Sequence, residues 1–490
     1  MVFDRLEIGP VQLEPGRLIV PYSVTQKGKR DSIDLIYRFE EEVFGPDDPS
    51  CRNLADMIGA QVALNYGIFS REMTFCGSFD DDDRRFIHEI AANTAREIYV
   101  KKFLEPNPFL VGPAAKLAVD RKPNYLHSKL VFKNSRSETY KGGKAAWSTD
   151  DKRYAVLSSG GKDSLLSFGL INELGYEAHP IFINESGRHW YTALNSYRHF
   201  KKNYPLTSRV WTNADRVFNW MLRHMPFIRQ DFANIRSDEY PIRLWTVAVF
   251  IFGALPILRK RGIGRLVIGD EHDTTRRMTH KGLPHYDGLY DQSRYFDNAM
   301  TRYFARKGWG IKQFSILRQL AEMLIEKVLI ERYPDLQLEQ VSCHATHISS
   351  GRVFPCGRCE KCRRIVGMLL ALGADPSRCG YTKNQIKMVL REISNTRLRQ
   401  DASSARHLMY MLMRKGLISR NSGGGQTARE HQEILKIMLD DSKSPLNVIP
   451  RELQHPLFKI LLEHAEGVVE RRGNNWVEID AGRFLARMDK

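Results

Sequence analysis

Two kinds of apolar spacing alternate along the chain, and they predict most of its elements. Residues 17–22 and 32–39 read as strands, and the second alternates, with Ile33, Leu35 and Tyr37 on one face. Gln26-Lys27-Gly28-Lys29 between them predicts a hairpin-like turn. Residues 154–157, 179–184 and 265–269 are short apolar runs of the kind buried on both faces of a sheet. Residues 244–258 are longer, but Thr246, Gly253 and Pro256 interrupt them. They predict a buried core helix, because a membrane span needs roughly 18 apolar residues. Asp80-Asp81-Asp82-Asp83 precedes an apolar-periodic stretch and predicts a helix N-terminus rather than a metal site. Helical spacing returns at 386–398, 405–415, 430–439 and 456–469. Residues 475–479 read as a closing strand, and Ser422-Gly423-Gly424-Gly425 as a flexible break.

Buried strands alternating with helices in the middle of the chain predict an α/β fold with a doubly wound parallel sheet. Residues 1–150 are expected to form an N-terminal α+β domain, 151–381 the parallel-sheet domain, and 382–490 a mostly helical accessory domain. A polar stretch over 133–152, with Lys141-Gly142-Gly143-Lys144, reads as the first linker. Ligands of such sheets bind beyond the carboxyl ends of the strands. The turn after residue 157, Asn184-Glu185 and Gly269-Asp270-Glu271 all lie at such ends and should converge.

Composition narrows the partners. The formal charge of +17 over 490 residues implies an anionic ligand: ATP, another phosphorylated compound or nucleic acid. Seven cysteines are too few for a disulfide framework. Met1-Val2-Phe3-Asp4-Arg5 lacks the charged and apolar regions of a signal peptide, so a cytoplasmic protein with no membrane partner is expected.

The densest chemistry is Ser158-Ser159-Gly160-Gly161-Lys162-Asp163-Ser164. Strand, Gly-Gly turn and helix N-terminus together make an anion site, because backbone N–H groups and the helix dipole face the ligand. Lys162 adds a point charge and the serines add hydroxyl donors. The spacer of a GxxxxGK[ST] loop is missing. The order SGGKDS instead resembles the pyrophosphate loop of the N-type ATP pyrophosphatases. That resemblance implies an adenine-nucleotide α-hydrolase-like fold and bound ATP with Mg²⁺. Ser158 to Ser164, Asn184 and Gly269 would then contact the nucleotide, and Lys162 and Asp163 would act in catalysis.

A second cluster is Cys356-Gly357-Arg358-Cys359-Glu360-Lys361-Cys362, with Cys343 upstream. Four thiolates at these spacings suit structural zinc, with an iron–sulfur cluster as the alternative. His344 and His347 lie nearby without being expected ligands. Cys51, Cys76 and Cys379 read as bystanders. Third comes the polar stretch from Gly269 to Arg294, expected to be a long functional loop. Asp270 and Asp291 are candidate metal ligands or general bases there. Arg294 or Arg277 could hold a substrate carboxylate.

Taken in order over 153–372, these pieces resemble the 7-cyano-7-deazaguanine synthase family. The match rests on SGGKDS, on Gly288 and Asp291 as a Gly-x-x-Asp stretch, and on Ala321-Glu322 followed by Ser342-Cys343 and CxxCxxC. It implies zinc on Cys343, Cys356, Cys359 and Cys362, and adenylation of a small carboxylic acid with release of pyrophosphate. That family lacks the 150-residue front and 100-residue tail seen here. The layout is also similar to the ATP-dependent epimerases of UDP-MurNAc-L-Ala-L-Glu, and to defence-associated relatives that attach a base to a protein. A tRNA-modifying pyrophosphatase and a non-catalytic nucleotide-binding scaffold are the other readings. A protein or a tRNA is thus a candidate acceptor, and a homodimer a candidate assembly.

Overall fold

A computed structural model describes residues 1–490 except 134–145, 186, 188, 236–239, 287–288, 396–397, 399 and 489–490, and without the side chain of His189. The linker motif Lys141-Gly142-Gly143-Lys144 and Gly288 lie outside the described residues.

One sheet organises the chain. Its strands are β1 (Phe3–Ile8), β2 (Gln12–Glu14), β3 (Arg17–Gln26), β4 (Lys29–Phe39), β5 (Ser70–Cys76), β6 (Lys129–Lys133), β7 (Asp150–Leu157), β8 (Glu177–Glu185), β9 (Ser208–Thr212) and β10 (Ile263–Val267). After the hairpin β11 (Arg277–His280) and β12 (Leu283–Tyr286), β13 (Lys312–Phe314) completes it, and β14 (His347–Ser349) and β15 (Arg352–Phe354) form a separate hairpin. The spatial order is β13-β10-β7-β8-β9-β4-β3-β1-β5-β6, with β2 beside β3.

The five strands β13-β10-β7-β8-β9 are all parallel. In chain order they run 5-4-1-2-3, the doubly wound arrangement expected from the sequence. The direction of winding reverses between β7 and β10, and a crevice opens beyond the strand ends at such a reversal. Apolar helices cover this half: Lys162–Glu173 follows β7, and Val247–Arg261 precedes β10. Gly262 ends the latter at φ 61°.

Residues 1–150 extend this sheet instead of folding beside it. β4 pairs antiparallel with β9, Tyr37 opposite Thr212 and Phe39 opposite Val210. β1, β5 and β6 form a second parallel group at the far edge. Leu6, Val20 and Leu35 of the front share one apolar core with Ala155, Ile181 and Val210. The physical reason is that β4 buries Leu35 and Tyr37 on a face that β8 and β9 continue. The expected turn is a two-residue hairpin with Lys27 at φ 50° and Gly28 at φ 76°. Asp80 caps the helix Asp81–Ile98, its carboxylate accepting from the Asp83 N–H, as the sequence suggested.

The tail differs from the expected helical domain. Helices Lys383–Asn395 and Ala402–Arg414 form close to their predicted places. Residues 430–439 instead make a short 3-10 turn and strand β16 (Ile437–Leu439). The stretch 456–469 divides into the end of helix Arg451–Leu462 and the start of β17 (Val468–Arg472). With β18 (Asn475–Ile479) these form a three-stranded sheet, β16-β17-β18. Apolar runs this short carry no decisive periodicity. The glycine break is also packed: a Cβ on Gly425 would lie 2.1 Å from the Ser419 carbonyl oxygen. Leu453, Leu457 and Phe458 of the tail pack into the core around Leu166 and Phe168 of the helix after β7. Among the described residues, no helix is long and apolar enough to cross a membrane.

Candidate active site

The turn after β7 is held by two glycines of different use. Gly160 sits at φ 75°, and a Cβ there would lie 2.6 Å from Ser196 Oγ and 2.7 Å from the Thr192 carbonyl oxygen. No side chain caps Gly161, so the first N–H groups of helix Lys162–Glu173 have no side-chain acceptor at the cap. Ser164 Oγ donates to the Gly161 carbonyl at 3.1 Å, and Ser158 Oγ reaches Ser164 Oγ at 3.4 Å. Gly269, just past β10, closes against this turn: a Cβ there would lie 2.7 Å from Asp163 Cβ. Asn184 and Glu185 end the adjacent strand β8, both buried. Of the expected convergence, the meeting of Gly269 with the turn is present, while Glu185 pairs with Arg243 at 3.5 Å.

Lys162 is 5% exposed and faces three carboxylates. Its Nζ lies 2.8 Å from Asp163, 3.3 Å from Glu271 and 3.4 Å from Glu322. Burial opposes its charge, but the three acids outweigh that and hold the ammonium well above the ordinary lysine range. Arg364 lies 3.4 Å from Glu322, and Gln400 donates to Glu322 at 2.8 Å. Despite burial, Arg364 and Lys162 keep Glu322 below its usual range. Burial pushes Glu271 up, and it pushes Asp273 up to about 6, with Asp401 and Glu322 adding to the second shift. Asp163, Glu271, Asp273 and Glu322 thus outnumber Lys162 and Arg364. A surplus of hard oxygen donors beside an anion-binding turn fits a magnesium ion brought in with a nucleotide.

Other sequence candidates have structural partners. The buried Asp270 carboxylate lies 3.3 Å from Arg318, which also reaches Asp297 at 2.6 Å. Asp291 accepts from the backbone N–H groups of Thr246 at 2.9 Å and Val247 at 2.8 Å. It caps the helix Val247–Arg261, and burial pushes its carboxyl up to about 6. Arg294 Nε donates to the Ser442 carbonyl at 2.6 Å and so ties the tail down. Arg277 is stacked over Tyr295 at 4.2 Å. The stretch from 270 to 294 is not an open loop, because it contains the β11–β12 hairpin. Glu271 was one acid among several in that stretch, and Glu322 only a marker of resemblance. Arg364 carried no signal at all, since nothing in its neighbourhood predicts a contact with residue 322.

Cys343, Cys356, Cys359 and Cys362 bring their sulfurs within 4.8 Å of one another. Measured separations are 3.9 Å for 356–362, 3.9 Å for 343–359 and 3.5 Å for 359–362. Four sulfurs at ~2.3 Å from one ion would stand about 3.8 Å apart, so the donor set fits tetrahedral zinc. Backbone N–H groups of Ala345 and Cys356 reach Cys343 Sγ at 3.3 and 3.2 Å, as thiolates require. His347 stacks on Phe354 instead of joining the set. Cys379 is hydrogen-bonded to Gln337, and Cys51 to Arg259, both away from the cluster.

The cluster adjoins the turn after β7. The Val341 N–H donates to the Gly160 carbonyl at 3.3 Å. Helix Glu360–Leu372 starts at Cys359 and carries Arg364 to Glu322. A metal here would fix the register of Arg364 without leaving a coordination position for substrate.

No protein-family model matches the chain. It is similar to a 7-cyano-7-deazaguanine synthase from Chlorobium luteolum, 37% identical over 220 residues, which cover 43% of this chain and 88% of the relative.

Proposed function

The chain belongs to the 7-cyano-7-deazaguanine synthase family, and from that premise we propose that it adenylates a carboxylic acid with ATP and releases pyrophosphate. The observation that carries this reading is the uncapped helix N-terminus at Gly161 beside Lys162 and its surplus of carboxylates.

The substrate carboxylate attacks the α-phosphorus, the bond to the bridging oxygen breaks, and pyrophosphate leaves with that electron pair. Charge grows on the leaving group, so fixed donors aimed at it lower the barrier. Lys162 and the N–H groups of the turn supply them. Bound ATP phosphates would compete with Asp163 and Glu271 for Lys162. Those two acids and Asp273 would hold a magnesium ion, whose positive charge offsets that of the pyrophosphate. Arg364 keeps Glu322 ionised, and Glu322 orients Lys162 from below. Asp270, Asp291 and Arg294 then act through the fold, while Asn184 and Gly269 shape the nucleotide's side of the crevice.

The acid is one whose acyl adenylate goes on to a nitrile or an amide, with 7-carboxy-7-deazaguanine as the first candidate. Labelled pyrophosphate should exchange into ATP only when the right acid is present. ADP as the product would overturn the proposal.

A further inference from the structure

Most of the wall of a cavity of about 820 Å³ comes from the tail. Asp273 and Ala321 also line it. Asp273 is two residues from Glu271, and Ala321 precedes Glu322, whose carboxylate is 3.4 Å from Lys162. Part of the cavity lining is therefore within one or two residues of the acids that face Lys162. Further lining comes from β17, β18 and the segment before β16.

The lining charges sort into used and unused. Arg276 pairs with Asp401 at 3.1 Å, His431 with Glu433 at 3.1 Å, and Lys436 with Glu478. Arg429, Lys443 and Arg471 make no ion pair among the described residues, against two lining acids, Asp273 and Glu430, that make none either. His272 is buried, with its Nδ1 3.0 Å from Ser444 Oγ. Trp476 adds a half-buried aromatic surface, with Arg471 5.1 Å from its ring. Three cations without an ion pair and one aromatic face recognise an anion attached to a flat polar body. The volume lies within the ~300–1,000 Å³ usual for small-molecule sites.

We propose that this cavity binds the acid that meets the ATP, with Lys443 and Arg429 drawing in its charge and Trp476 packing against a planar, hydrogen-bonding body. The assignment rests on the adenylation reading and adds to it: the tail, and not only the sheet, selects the acid.

Calorimetry on the full chain tests it, using the magnesium complex of the non-cleavable analogue α,β-methylene-ATP and, separately, 7-carboxy-7-deazaguanine in its presence. The variants are Arg429→Ala at an exposed position, Lys443→Ala and Trp476→Ala. Each should bind the nucleotide within about twofold of the wild type and the acid at least tenfold more weakly. Undiminished acid binding in all three variants overturns the assignment while leaving the chemistry standing. A wild-type protein that binds the nucleotide but no acid overturns the functional reading, and the assignment with it.

Discussion

Two buried lysines in this protein are surrounded by carboxylates, and they differ in closure. Lys307 lies 2.9 Å from Asp83 and 2.9 Å from Asn53, and also pairs with Asp80. Asp83 is in turn bonded by Tyr303 at 2.7 Å, Asn53 at 2.6 Å and the Asp80 N–H at 3.0 Å. Nearly every lone pair is used, and the group clamps the start of helix Asp81–Ile98 to the end of helix Arg294–Lys307. Around Lys162 the acids are in excess, Asp163 and Glu271 are part-exposed, and a cavity adjoins. Burial of a charged cluster is therefore not what marks a site. What marks it is unspent donor capacity facing open space.

The sharpest way to break this comparison is to remove each lysine. Lys162→Met should lower acid-dependent pyrophosphate exchange by roughly a thousandfold or more, the scale of losing a preorganised charge on a leaving group. Its thermal stability should change little. Lys307→Met should do the reverse, costing about 3–5 kcal/mol because Asp83 is left buried and unpaired. Denaturant unfolding reads the second effect, and exchange per folded molecule should stay near wild type. Loss of turnover without loss of stability in Lys307→Met would end the distinction.

The cysteine group is expected on the structural side. Cys359→Ser should lose about one metal ion per chain by metal analysis and lower the unfolding temperature, since binding energy at such sites is folding energy. Chelation should reproduce it. A folded, metal-free and inactive variant would move the cluster to the catalytic side.

The two regions should also separate by pH. Asp273, pushed up to about 6, must be ionised to hold a cation, so kcat/KM should fall as the pH drops through about 6. Saturating magnesium should shift that limb to lower pH. Asp56, beside the Lys307 group, is pushed up to about 7 by burial. The folded state keeps a proton that the unfolded chain releases near pH 4, so stability falls as pH rises from about 4 to about 7. Asp56→Asn should flatten that slope without altering the activity limb.

The smallest effects are expected at residues that looked catalytic but cap or tether. Asp291→Ala should cost about 2 kcal/mol of stability, the scale of a lost helix cap. Arg294→Ala should change exchange less than about threefold.

Much of the centre was legible because its signals are local. SGGKDS lies between a strand and a helix, so the residues of the turn and their geometry follow from neighbours in the chain. The CxxCxxC spacing works the same way. Asp270, Asp291 and Arg294 were plausible for the same reason, being polar residues near a motif. What reassigns them is Arg318, the N-terminus of helix Val247–Arg261 and the Ser442 carbonyl, each remote in sequence.

By itself the sequence determined three strands of the parallel half-sheet, the Gly-Gly turn between the first of them and its helix, and the four thiolates. Short-range patterning decides strand, turn and helix, and a Gly-Gly turn admits few alternatives. Only the tertiary structure decided that the front strands join the same sheet and that Glu322 and Arg364 flank Lys162. It alone decided that the tail walls a cavity beside the site. Those outcomes depend on which buried faces and charges meet across hundreds of residues, and no window along the chain contains both partners.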